Sequence, residues 1–136
     1  MNNAIPKCLE DRRILVVDDE PFVLIVAERV LRDSAFVVGS AQSGAEALRV
    51  FSQGHWDLVI TDRAMPEMNG EQLAGHIKMA APGTPVILTT GFTLPGTATE
   101  LFDAVLAKPF SKEDLLASVT RVLSARTDPE VCATTN

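Results

Sequence analysis

Five residues carry the chemistry worth reading first: the adjacent carboxylates Asp18 and Asp19, a third carboxylate at Asp62, the hydroxyl of Thr90 and the ammonium of Lys108. Each directly follows, or ends, a short apolar run: RILVV before Asp18, DLVIT before Asp62, PVILTT ending at Thr90 and DAVLA before Lys108. Two carboxylates about 4 Å apart repel by about 4 kcal/mol at an effective dielectric near 20. Such a set is relieved by protonating one acid or by binding a divalent cation. Hard oxygen donors without histidine or cysteine favour Mg²⁺, which keeps open positions for phosphate oxygens. A carboxylate nucleophile, Mg²⁺, a lysine and a hydroxyl are the parts of phosphoryl transfer to an aspartate, where catalysis is mainly positioning and charge neutralisation. Gly91, beside Thr90, leaves room for a bulky group on Asp62.

These residues meet only if the chain folds so that its strand ends share one edge. Strands are predicted at residues 13–17, 36–40, 57–61, 85–90 and 103–107, short and apolar enough to be buried on both faces. Helices are predicted between and after them. One starts at Pro21 and runs to about Arg32, with Phe22, Val26, Val30 and Val23, Ala27, Leu31 as a wide apolar stripe. A second starts at the capping-box sequence Ser43-Gly44-Ala45-Glu46 and closes at Gly54. A third covers 71–80, a short fourth lies near 97–102, and a last one runs from Ser111 to about Ser124. Five strands alternating with five helices give a parallel sheet covered on both faces. In such sheets ligands sit beyond the carboxyl ends of the strands.

The composition sets limits. The chain has 136 residues, 46% hydrophobic and 22% charged, enough for one soluble domain without a structural metal. Eighteen acids against twelve bases give a net charge of −6, which disfavours nucleic acid and anionic membranes as generic partners. No apolar run approaches the roughly 20 residues of a membrane span, and the first residues lack a signal core, so a cytoplasmic protein is expected. Cys8 and Cys132, far apart and without ligand spacing, read as free thiols. His55 lies at the end of its strand remote from Asp62, and His76 sits among polar neighbours on a helix; both read as surface or packing residues, as Trp56 reads as a packing residue.

In order and spacing, the segments ILVVDDEP, DLVITDRAMPEMNG, PVILTTG and LAKPF resemble a bacterial response-regulator receiver domain over about residues 12–124. The resemblance implies a flavodoxin-like (βα)5 fold: a doubly wound five-stranded parallel sheet of order 2-1-3-4-5. Residues 12–125 would be the receiver domain, between an N-terminal extension at 1–11 and a flexible tail at 126–136. It implies Asp62 as phosphoacceptor, Thr90 as switch hydroxyl and Lys108 as phosphoryl and charge partner. Mg²⁺ would be held by Asp18, Asp19, Asp62 and the backbone carbonyl of Ala64, and the Lys108–Pro109 peptide would be cis. The implied donor is a phosphohistidine on a histidine kinase or a histidine phosphotransfer domain, the receiver being a monomer or weak homodimer with a further downstream protein partner.

The chain departs from the family pattern in three places. Val105 stands where an aromatic often swings inward, and the chain has no tyrosine. The segment 92–103 is short, and the polar residues after 125 are too few for an output domain, which suits a stand-alone receiver or one cut from a hybrid kinase. Phe92, two residues after Thr90, is expected to border the phosphoryl site and slow hydrolysis by limiting water. Two rival functions are a phosphorylation-independent adaptor of the same fold and a small Mg²⁺ phosphohydrolase. The second usually needs an acid two residues after its nucleophile, where this chain has Ala64.

Overall fold

Runs of consecutive apolar residues become central strands because both of their faces are covered. In the computed structural model, which describes residues 5–91 and 101–126, this holds for β1 (Arg13–Val17), β3 (Leu58–Asp62) and β4 (Val86–Thr90). All residues of β3 and β4 are buried. The edge strands β2 (Val37–Ala41) and β5 (Ala104–Ala107) are buried only in part. All neighbours pair in parallel, in the order β2-β1-β3-β4-β5. The doubly wound sheet anticipated from the sequence is the observed one.

Alternation along the strands divides the core in two. Ile14, Val16, Leu58, Ile60 and Ile87 point to one face and pack with α1 (Pro21–Asp33) and α4 (Lys112–Ala125). Leu15, Val17, Val59, Val86 and Leu88 point to the other and pack with α2 (Gly44–Phe51) and α3 (Gly70–Ala80). A short 3-10 turn, Lys7–Leu9, precedes β1 and buries Leu9 in the α1/α4 layer. Two helix starts are capped as their sequences suggest. The Ser43 hydroxyl accepts from the Glu46 amide, and Ser111 and Asp114 form a full capping box. Asn69 and Gln72 form another at the start of α3.

Four expectations are corrected. The buried face of α1 is Leu24, Ala27 and Leu31, whereas Phe22 and Val26 of the expected stripe are 72% and 42% exposed. Positions i, i+3 and i+7 already fill the stripe that faces the sheet, so the remaining apolar residues are left outside. Helix α2 ends at Phe51 with Ser52 as its cap, before Gly54. Strand β2 begins one residue later than expected. Cys8 is disulfide-bonded rather than a free thiol; the other cysteine, Cys132, lies outside the described residues. The expected fourth helix near 97–102 and the tail beyond 126 also fall largely or wholly outside them.

The amino-end rim of the sheet is tied by side chains from separate elements. Arg13 lies over the Trp56 ring at 4.7 Å, and a Cβ on Gly39 would stand 2.5 Å from that ring, so the indole requires glycine in β2. His55 pairs with Asp57 at 2.9 Å at this same rim, away from Asp62 as expected. Asp103 links three elements. It accepts from the Val86 amide at 2.9 Å and from Arg126 at 2.9 Å, and it pairs with Lys78 at 3.4 Å. Burial opposes its charge, but the Val86 amide, Arg126 and Lys78 outweigh burial and hold its carboxyl below the ordinary value. A carboxyl depressed in the folded state lends stability above its unfolded pKa and loses it as the pH falls through the folded one. Asp103→Asn is therefore expected to lower the urea midpoint at neutral pH. Its deficit against the parent should shrink as the pH falls from about 5 towards 2. A deficit that stays constant across that range would show that the Asp103 charge is not what ties the rim.

Candidate functional site

The strand registers bring the chemistry-bearing residues to one level. Val17 is the partner of Thr61, so Asp18 and Asp62 are the next residues out on neighbouring strands. Asp62 is the partner of Thr89, and Thr90 of Ala107, so Lys108 emerges one residue beyond Thr90 on the far side. The Lys108 amide donates to the Thr90 carbonyl at 2.8 Å, which continues the ladder past β5. The Lys108–Pro109 peptide is cis, as the resemblance implied.

The Lys108 ammonium donates to Asp18 Oδ2 at 2.9 Å and to Asp62 Oδ1 at 3.0 Å. Both carboxylates are buried, at 2% and 7% exposure, while Asp19 faces solvent. The second Asp18 oxygen accepts from the Glu20 amide at 2.9 Å and so fixes the turn into α1. Burial raises the Asp62 pKa above its ordinary value; the Lys108 hydrogen bond works against this, and the Asp18 charge adds to it. Burial alone would lower the Lys108 pKa, but its hydrogen bonds to Asp18 and Asp62 more than reverse that, and the ammonium is held charged.

One carboxylate oxygen from each of Asp18, Asp19 and Asp62 lies within 4.8 Å of the others. Three hard donors converging at that spacing, one of them open to water, fit a magnesium-like cation. Thr90 is buried and lines a cavity of about 220 Å³ together with Asp62, Ala64 and Gly91. The neighbouring hydroxyl, Thr89, points elsewhere, to the Thr61 carbonyl at 3.4 Å. Phe92 lies outside the described residues.

Two features of the site were not foreseen. Gly70 opens α3 directly beneath the site, and its amide donates to the Arg63 carbonyl at 2.9 Å. A Cβ at this position would run into the Asp62 carbonyl oxygen and lie 2.9 Å from Leu88 and 3.0 Å from the Arg63 backbone. The second is an ion pair, Arg63 with Glu71 at 3.5 Å, at the same cavity. A glycine after Asn69 was visible in the sequence, but the backbone that crowds it comes from another strand.

A parallel α/β fold with acids and a lysine gathered at the carboxyl edge of its sheet defines a class of signalling domain. A family model described as the response regulator receiver domain matches residues 14–120, and the chain belongs to that family, the receivers of two-component systems. It is 37% identical over 114 residues to the transcriptional regulatory protein GlrR of Escherichia coli, covering 81% of this chain and 26% of that protein. It is 34% identical to the sensor kinase CckA of Brucella abortus, covering 81% of this chain and 12% of that one. The chain thus spans 26% and 12% of the length of these two curated relatives. Among solved structures it is similar to the response regulator TrrA of Thermotoga maritima in complex with Mg²⁺-BeF, with a TM-score of 0.77 and 32% identity over 82% of this chain and 98% of that one. No helix among the described residues is long and apolar enough to cross a membrane.

The crowding at Gly70 yields an expectation. Gly70→Ala must push α3 away from the end of β3, and overpacking of this kind costs about 1–3 kcal/mol. The urea midpoint should fall accordingly, with amide shifts concentrated at residues 62, 63 and 88. A variant as stable as its parent would show that the α3 start has slack.

Proposed function

We propose that this receiver is a phosphorylation-controlled switch in which Asp62 accepts a phosphoryl group from a phosphohistidine on a histidine kinase or a histidine phosphotransfer domain. The observation that carries this is the one ammonium shared between two buried carboxylates, with a third carboxylate close enough to complete a cation site. The phosphohistidine N–P bond breaks as a bond forms between phosphorus and an Asp62 carboxylate oxygen. The electron pair of the broken bond stays with the imidazole. Asp18, Asp19, Asp62 and the Ala64 carbonyl would hold Mg²⁺, which supplies charge neutralisation for the phosphoryl oxygens when bound.

Lys108 keeps Asp62 and Asp18 paired in the resting state and is within reach of a phosphoryl oxygen afterwards. The Thr90 hydroxyl, in the same cavity as Asp62, donates to another oxygen, and its movement biases β4 and the surface beside β5. Replacing the carboxylate monoanion by an acyl phosphate dianion, a net change of about one negative charge, supplies the driving force. Beside Lys108 lies an apolar groove of about 390 Å³ lined by Phe22, Val23, Val26, Pro109 and Phe110. An exposed apolar groove that borders a charged site suits the docking of the donor protein. We read the protein as cytoplasmic and its downstream partner as another protein.

Acetyl phosphate with Mg²⁺ should add one phosphoryl group to the chain, seen by intact mass, with no addition in Asp62→Asn or in the presence of a chelator. Labelling that survives Asp62→Asn would end this reading. Phe22→Asp should slow transfer from a phosphohistidine donor protein while leaving labelling by acetyl phosphate unchanged. Equal slowing with both donors would show that the groove serves the fold rather than docking.

A further inference from the structure

The cavity over Asp62 has a cation of its own. Asp62, Ala64, Glu71 and Thr90 line it, and Arg63 is the basic residue among its walls, whereas Lys108 borders the apolar groove instead. The backbone of Arg63 is pinned: its amide donates to the Thr89 carbonyl at 2.9 Å, and its carbonyl accepts from Gly70 at 2.9 Å. The side chain is therefore the part of Arg63 free to rearrange. Its Nε lies 3.5 Å from Glu71 Oε1, and both side chains are partly exposed, at 37% and 26%. That separation exceeds the roughly 2.7–2.9 Å of a charge-assisted hydrogen bond, and exposed pairs of this kind are weak. Lys108 and a divalent cation together balance the three carboxylates of the site. A phosphoryl group on Asp62 adds about one further negative charge, which neither of them offsets. A guanidinium presents a planar fork of donors matched to phosphoryl oxygens.

Resting on the assignment of Asp62 as phosphoacceptor, we propose that Glu71 holds Arg63 aside in the unmodified protein and that Arg63 moves to the phosphoryl oxygens once Asp62 is modified. Arg63 is then a phosphoryl-binding residue that responds to modification, and Glu71 is its competitor. Opposite effects of the two substitutions distinguish this from a structural ion pair, because breaking a structural pair from either side has the same sign.

The test is titration of beryllofluoride, in the presence of Mg²⁺, into the full chain, followed by amide NMR shifts and by the Arg63 Nε–H resonance. Arg63→Ala is expected to weaken apparent beryllofluoride affinity by about fivefold or more, Glu71→Gln to tighten it by about twofold, and Arg63→Lys to recover part of the loss. The Arg63 Nε–H resonance should shift on beryllofluoride addition in the parent protein. A parent that binds, with Arg63→Ala and Glu71→Gln both unchanged or both weakened, overturns the role of Arg63 and leaves that of Asp62 intact. A parent that shows no beryllofluoride-dependent shift, or an Asp62→Asn variant that binds equally well, overturns both. Glu71→Gln is nearly isosteric, so it keeps the test decisive if Arg63→Ala disturbs the fold.

Discussion

One ammonium between two buried carboxylates is the constraint on which the rest of this structure depends. Asp18 and Asp62 are carried on neighbouring strands to positions where water is largely excluded, and Lys108 touches both at about hydrogen-bond distance. Deleting one partner of a buried charge pair typically costs about 3–5 kcal/mol, because the remaining charge is stranded. Here a single cation serves two buried anions, so Lys108 cannot leave either without stranding that carboxylate. That makes the resting arrangement stable and also poised. Any new cation or anion entering the site must redistribute the contacts of the same ammonium. A local arrangement that opposes burial energetics, set in an otherwise consistent fold, is what a functional site is expected to look like.

The fold meets this constraint through register rather than through loops. Because every strand is parallel, all carboxyl ends lie on one edge, and the pairing of Val17 with Thr61 and of Thr90 with Ala107 sets the heights of Asp18, Asp62 and Lys108. A slip of one residue in β3 would exchange its faces and turn Asp62 away from Lys108. The two apolar layers that lock these registers also locate the site. The close seat of Gly70 against the end of β3 then fixes where α3 begins relative to Asp62.

Much of this was legible in the sequence because the signals were local. Short apolar runs ending in charged residues mark central parallel strands, and capping sequences mark helix starts. The exposed apolar side of α1 was not legible. Phe22, Ile25 and Val26 have core-like composition, and only the geometry of a helix lying on a sheet shows that Leu24, Ala27 and Leu31 take the buried places. The need for glycine at 70 and 39, the Arg63–Glu71 pair and the Asp103 ties were hidden for a related reason. Each joins residues from different elements, and no spacing along the chain encodes them.

Lys108 also joins two surfaces that differ in character. Its ammonium belongs to the acidic pit, yet the residue forms part of the wall of the apolar groove with Phe22, Val26 and Phe110. A partner covering that groove removes water from beside the ammonium. Removing water lowers the effective dielectric around Lys108, Asp18 and Asp62, and every charge interaction among them strengthens. Docking on the apolar face and electrostatics in the pit are therefore not independent. The exposed hydrophobic residues next to the site have a physical reason to be there, beyond simple adhesion: their burial changes the medium in which the neighbouring charges interact.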